Sequence, residues 1–326
     1  MRRFGVITAC MALLMVLNLF WGSVHIDASQ VMDVLMGRES DAPQRFIILS
    51  CRLPQMVTAL LVGAAVSVAG LLLQTTFQNP LAGPGVLGIS GGASLGVAVV
   101  VLCGSLLNLQ VPFWGQGCAA LVGALLVTVA LVMLSLLVRN NLLLLITGLL
   151  FGYLVSALIS IMNVVASAES LQAYVIWGLA DFSGVSNDEL PLMGGLLLAF
   201  MVVSVLMVKS LNILQLGNDY ARSLGLNIIL MRNMLLLLVG AITAVTTAWC
   251  GPVSFLGLAV PHMARLFFRD ANMQVLLPAT MLMGGVVALL CNLLCVIPDN
   301  TVLPLNAVTP LVGVPVIIYV LLRPSR

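Results

Sequence analysis

Chemistry at a protein site needs ionisable, nucleophilic or metal-ligating side chains held close together, and this chain of 326 residues offers few of them. It carries two histidines, eleven acidic residues and seven cysteines. The histidines and the scattered acids form no acid/base pair. Cys103, Cys118, Cys250, Cys291 and Cys295 sit in apolar runs, where a thiol behaves as a small hydrophobe. Cys291 and Cys295 share a helix face, but no second ligand pair accompanies them, so packing rather than metal binding is expected. A phosphate loop is absent. Lys209, the one lysine, is followed by Ser210 but has no glycine where Gly-x-x-x-x-Gly-Lys-Ser/Thr requires it. The expectation is a chain with no catalytic residue, no metal site and no bound cofactor of its own. What remains is a set of neutral polar groups in apolar surroundings: Gln74, Gln78, Asn79, Thr147, Asn163, His262, Asn292 and Thr309.

The elements that carry these groups follow from composition. Hydrophobic residues make up 61% of the chain and charged residues 7%, against roughly 25% charged in soluble domains. Such a chain is covered by lipid rather than water. The reading is an all-α polytopic membrane protein, a single transmembrane domain over 1–326. About 20 apolar residues span a bilayer, and ten such stretches occur, near 5–24, 54–75, 86–108, 114–138, 142–166, 190–208, 232–250, 253–267, 275–297 and 304–322. The first, behind Arg2 and Arg3, is read as an uncleaved helix, since no small-x-small site closes it. Ten spans put both termini on one side. With that side cytoplasmic, ten of the thirteen basic residues fall inside, leaving Arg38, Arg45 and Arg52 outside. Nine of the eleven acids fall outside. This segregation is what the positive-inside rule demands. The near absence of charge within the spans argues against the alternative reading, an ion-coupled secondary transporter, whose relays are ionisable.

Two places interrupt the apolar pattern. Gln78-Asn79-Pro80-Leu81-Ala82-Gly83-Pro84-Gly85 is either an ordinary cytoplasmic turn or non-helical backbone lining a wet cavity. Gly251-Pro252 and Val260-Pro261-His262 predict breaks around the eighth stretch, with His262 read as a satisfied helix-end group rather than a ligand. Gly83–Gly88 echoes Gly251–Gly257 after oppositely directed spans, which fits an inverted repeat. Gly92-x-x-x-Gly96 and Gly148-x-x-x-Gly152 predict close helix contacts, within the chain or across a dimer. The inner connection 209–231 is the longest on that face. Its two Leu-Gly steps, Leu216-Gly217 and Leu224-Gly225, predict two short helices with a turn between, a structured surface on which a cytoplasmic partner docks.

These residues resemble the permease subunits of binding-protein-dependent ABC importers for iron-siderophores, haem and vitamin B12 (the FecCD type, type II importers). The resemblance is carried by Arg52-Leu53-Pro54, Gln74 with Asn79–Pro84, Trp177-Gly178 with Phe182-Ser183-Gly184, Leu216–Gly225, Gly251–Leu266 and Leu303–Pro315. It implies a homodimer of ten-helix subunits in the inner (plasma) membrane, with lipid around it and no nucleic-acid partner. ATP and Mg would reside on a separate cytoplasmic ATPase that docks on Leu216, Gly217, Asp219, Ala221, Arg222, Leu224 and Gly225. A periplasmic or surface-tethered binding protein would meet Arg52, Arg45 and Arg38. Asn140 and Asn141 would stand at an inner gate, and the pathway would follow the dimer axis along the fifth and tenth spans. The sequence departs from the family pattern at Gln55, where a second arginine is usual, and at Asn292 and Val296, where Asp and Arg are usual.

Overall fold

A computed structural model describes residues 2–38, 42–104, 113–138, 140–297 and 301–322. Arg139, Glu39, Asp41, Asp299, Arg323 and Arg326, all used in the charge assignment, lie outside the described residues.

Each of the ten expected apolar stretches contains a helix. These are α1 (Arg2–Phe20), α4 (Leu53–Phe77), α5 (Ile89–Ala98, continued as a π-helical turn over Val99–Cys103), α6 (Phe113–Leu137) and α7 (Asn141–Val165). The second half has α9 (Leu190–Leu206), α12 (Ile228–Cys250), α13 (Leu256–Phe268), α14 (Met273–Cys295) and α15 (Leu305–Leu322). Among the described residues, six helices are long and apolar enough to cross a bilayer. A seventh forms if α9 and the following α10 (Val208–Gln215), bent by 55°, count as one span. Ile89–Cys103, Leu256–Phe268 and Leu305–Tyr319 are shorter apolar helices. The first apolar stretch ends at Phe20 rather than residue 24, and the eighth opens at Leu256 rather than 253.

Helix α4 is the centre. It is apolar on all sides, as a helix surrounded by others must be, and packs against α9, α12, α13 and α14. Its glycines set the distance to its neighbours. A methyl at Gly70 would stand 1.6 Å from the carbonyl oxygen of Gly257 in α13. That carbonyl has no helical donor, because the residue four on is Pro261, which lacks an N–H. Gly70 therefore presents a Cα hydrogen to a carbonyl left open by proline, a weak but recurrent contact. Gly70→Ala is expected to force α4 and α13 apart. Overpacking costs about 1–3 kcal/mol, and a lower thermal midpoint of the purified chain in detergent checks it. In α5, Gly92 and Gly96 meet Gly123 of α6 backbone to backbone, so that motif is a contact within the chain.

The sequence reading of Pro261 and His262 as a break is corrected. Both lie inside the continuous helix α13. The carbonyl that Pro261 leaves without a helical donor is met by Gly70, and the actual interruption is the extended segment Gly251–Ser254 before the helix. At the other interruption α4 does end. Gln78 ends α4 with φ +49°, and turns carry the chain to Gly88, φ +75°, where α5 starts. Both echoing segments line one cavity of about 280 Å³, the first through Gly83–Val86 and the second through Pro252–Phe255. Two short helices opening on one shared cavity is the arrangement that a repeat of broken helices produces.

The connections hold helices that the hydropathy pattern did not announce. These are α2 (Ala28–Leu35), α3 (Ala42–Phe46) with the π-helical Ile47–Arg52 leading into α4, and α8 (Ala168–Gly178). Two short strands, β1 (Val296–Ile297) and β2 (Thr301–Val302), pair antiparallel between α14 and α15.

Candidate functional site

The connection 209–231 does form two short helices, α10 and α11 (Asn218–Ser223). Gly217 separates them with φ +102° and ψ 155°, a region that a residue with a Cβ enters only with strain. Helix α11 closes in a Schellman pattern. Leu226 N donates to Ala221 O at 3.0 Å and Gly225, φ +83°, donates to Arg222 O at 2.9 Å. Asp219 lies in the first turn and Arg222 in the last, each matched to the helix dipole. Ala221 is buried, whereas Leu216, Tyr220 and Leu224 are 61%, 65% and 57% exposed. The pair thus presents an apolar ridge on its outer side and buries Leu211 and Leu214 on its inner side.

The inner side is bonded to the transmembrane helices. Gln78 Nε2, at the end of α4, donates to Leu214 O of α10 at 3.1 Å. Asn212 Oδ1 accepts from Met273 N at 2.8 Å, and Asn212 Nδ2 donates to Asn272 Oδ1 at 3.1 Å, holding the start of α14. Helix α11 leads through Asn227, whose side chain caps α12 by accepting from Leu230 N at 3.1 Å. Three core helices therefore begin or end on this platform.

The Gln78 turn is braced from α13. His262 Nε2 donates to Pro80 O at 2.8 Å, so the ring is satisfied by backbone rather than poised as a ligand. Gln74 bridges two groups of α13, donating to Leu258 O at 3.2 Å and accepting from Arg265 Nη1 at 2.7 Å. Asn79 Oδ1 accepts from Leu81 N at 2.9 Å, which shapes the turn around Pro80. Pro84 is buried against the cavity between the two echoing segments.

Asn140 and Asn141 come next to this turn. Asn140 is the N-cap of α7, accepting from Leu142 N at 2.8 Å. Asn141 Nδ2 donates to Thr76 O at 3.0 Å. Thr76 needs that donor, because the residue four on is Pro80. Asn141 Oδ1 accepts from Arg232 Nη1 at 3.1 Å. Arg232, a residue the sequence reading left as an ordinary inner-face charge, is 2% exposed. The pattern that would have found it is an arginine in the second turn of an apolar helix, where burial demands partners.

At the other end of the molecule the sequence reading needs a second correction. Arg52, expected to meet a binding protein, is 5% exposed. Its guanidinium donates to Leu19 O at 2.8 Å, Phe20 O at 3.1 Å and Val24 O, closing the end of α1. Buried at that depth, it presents little surface outside. Arg38 and Arg45 are exposed, Arg38 3.3 Å from Asp33. The departures at Gln55 and Asn292 explain each other. Gln55 Nε2 donates to Asn292 Oδ1 at 3.0 Å, and Asn292 Nδ2 donates to Asn18 Oδ1 at 2.8 Å. An uncharged polar chain joins α4, α14 and α1 where the family pattern would place charge. The Gly251 break is fixed by Asn306, which donates to Gly178 O at 2.9 Å and Pro252 O at 2.8 Å and accepts from Ser254. Among the described residues no group of three or more His, Cys, Asp or Glu could hold a metal.

Known proteins resemble this chain over nearly its whole length. The sequence pattern of the FecCD transport family matches residues 10–323. The vitamin B12 import system permease protein BtuC of Salmonella typhi is 35% identical over 276 residues, covering 84% of this chain and 83% of that one. BtuC of Klebsiella pneumoniae is 36% identical over 288 residues, covering 88% and 86%. A transporter assigned to the metal-chelate ABC type, solved in an inward-facing conformation, superposes with a TM-score of 0.85 at 25% identity, covering 98% of each chain. PsaBC of Streptococcus pneumoniae shares the fold at a TM-score of 0.54 and 17% identity, covering 82% of this chain and 90% of that one. The chain belongs to the FecCD transport family and is a permease subunit of an ABC importer.

Proposed function

We propose that this permease imports a bulky metal chelate, an iron-siderophore, haem or cobalamin, as one half of a homodimeric pore with ten spans per subunit and both termini cytoplasmic. The relatives named for vitamin B12 and the metal-chelate transporter of like fold support that substrate class. The chain itself hydrolyses nothing; ATP and Mg sit on a separate cytoplasmic subunit, and a binding protein delivers the chelate from outside. The observation that carries the reading is the platform α10–α11. Its apolar ridge of Leu216, Tyr220 and Leu224 is open to a partner, while its inner side is hydrogen-bonded to α4 and α14 and runs on into α12. A partner that closes on ATP can therefore move the pore helices, provided the two nucleotide states bind the platform differently.

The gate residues Asn140 and Asn141 lie next to the Gln78 turn, so one displacement of the platform reaches both. Arg45 and Arg38 remain as exposed outer cations for the binding protein. The test is uptake into liposomes holding this chain with its ATPase and binding protein, using labelled cobalamin, ferric siderophore and haem in parallel. Vanadate-sensitive uptake of one chelate, indifferent to a protonophore, is the expected result. Uptake abolished by the protonophore and indifferent to ATP would instead favour ion coupling.

A further inference from the structure

Arg232 is a buried cation that no acid neutralises among the described residues; the ion pairs there are His25–Asp27 and Arg38–Asp33. A buried guanidinium is retained at a cost unless its donors are used. Here they are. Nε donates to Ser135 Oγ at 2.8 Å, Nη2 to Val138 O at 3.0 Å and to Ser135 O, and Nη1 to Asn141 Oδ1 at 3.1 Å. Ser135 Oγ passes the chain on to Asn233 Oδ1. Two of these acceptors are carbonyls at the end of α6, where a helix leaves carbonyls unpaired and favours a cation. A third is the Ser135 hydroxyl of the same helix, and the fourth is Asn141, in the first turn of α7. The α6–α7 connection is thus fastened at both ends by one side chain of α12.

The position of Arg232 along α12 gives this a direction. It lies five residues beyond the N-cap Asn227, about 7.5 Å along the helix axis. Asn227 itself follows α11 by only Leu224 and the closing turn at Gly225 and Leu226. A tilt of α11 is therefore a displacement of Arg232, with no flexible linker to absorb it. Asn141 extends the connection to α4 through Thr76 O, and Gln78, two residues on, is held by α10. The loop of contacts closes: α11 to α12 to Arg232 to Asn141 to α4 and back to α10.

We infer that Arg232 is the positioning residue that transmits movement of the α10–α11 platform to the α6–α7 connection, pulling Asn140 and Asn141 through hydrogen bonds. The inference rests on the permease reading above, since it gives the platform its motor. Arg232 touches no substrate. Its role is rigid coupling, and the substitution that tests it must loosen the fastening without removing the platform. Arg232→Lys keeps the charge but cannot reach Ser135, Val138 and Asn141 together. Asn141→Ala removes one arm and leaves the guanidinium its other acceptors.

The experiment measures ATP hydrolysed and chelate imported in the same reconstituted vesicles, together with hydrogen exchange of the isolated permease in detergent. In both variants ATP spent per chelate imported is expected to rise at least about tenfold, and the double variant to be no worse than the poorer single, because both sever one path. Amides of Leu142–Leu144 should exchange faster while those of mid-α12 stay protected. Wild-type uptake driven by ATP, with an unchanged ratio in the variants or with effects that multiply in the double, overturns the coupling role and leaves the permease reading standing. A wild-type assembly with no ATP-driven uptake overturns the permease reading and the coupling role with it. Unchanged exchange at Leu142–Leu144 in Asn141→Ala overturns the fastening itself, whatever the transport data show.

Discussion

Vesicles carrying Leu224→Asp are expected to take up no chelate, although the chain inserts and folds. Leu224 is 57% exposed on the α10–α11 platform beside Tyr220 at 65% and Leu216 at 61%, so its replacement disturbs nothing beneath. What changes is the surface a partner must cover. Burying a leucine contributes about 1.5–3 kcal/mol, and a carboxylate in its place must be stripped of water without a counter-charge, which costs more. A loss above about 3 kcal/mol weakens association by at least about a hundredfold. Gly217→Arg is expected to act by another route. Its φ of +102° with ψ 155° is a glycine conformation, and a Cβ there would lie 4.0 Å from Gln78 Nε2. The larger side chain strains the turn by about 1–3 kcal/mol and disturbs the bond from Gln78 to Leu214 that ties α4 to α10. Both variants should be present in the membrane fraction at wild-type amounts and should fail to retain the ATPase subunit on affinity capture. Wild-type uptake by Leu224→Asp vesicles would remove the platform from the docking role.

How much of this was legible beforehand differs by level. The helices were readable because lipid imposes a crude requirement, about 20 apolar residues each. The platform was readable because two Leu-Gly steps stand out in an apolar chain. The corrections share one cause. Pro261 reads as a helix breaker, yet the cost of its missing N–H depends on what meets the carbonyl of Gly257, and that is Gly70, nearly two hundred residues earlier. Arg52 reads as an exposed outer charge because it sits at the end of an apolar run. Its fate is decided by the carbonyls of α1, which periodicity cannot place beside it. Arg232 was missed for the same reason: burial of a long side chain is a property of the neighbours. Helices α2 and α8 were missed because they are short and carry little hydropathy signal. Ser167, which caps α8 by accepting from Ser170 N at 3.3 Å, and Asp27 before α2 were the signals available. The polar chain Gln55–Asn292–Asn18 shows the opposite case. The sequence departed from its family at the first two positions, and the structure makes those departures a single change.

Arg52 supplies the sharpest contrast between docking and architecture. If it served the binding protein, Arg52→Gln would weaken capture and spare the fold. Its burial predicts the reverse. Three carbonyls, of Leu19, Phe20 and Val24, rest on its guanidinium, and a methyl on Gly22 would stand 2.5 Å from Nε, so the chain leaving α1 is wrapped around this one group. Hydrogen bonds to charged groups contribute about 1.5–3 kcal/mol each, and a carbonyl left buried without a donor costs about as much. A net loss of about 3 kcal/mol or more is expected for Arg52→Gln. It should appear as a lower thermal midpoint in detergent and as increased protease access to the segment after Phe20. The folded fraction should still capture the binding protein. Arg45→Glu is the complementary variant. Arg45 is exposed, so its reversal should leave the midpoint alone and slow association in a salt-dependent way, as rim charges do. A stable Arg52→Gln chain that has lost the binding protein would return Arg52 to the docking surface. The expected pair, one variant unstable and the other slow to dock, assigns the outer face to Arg45 and Arg38 and gives Arg52 to the fold.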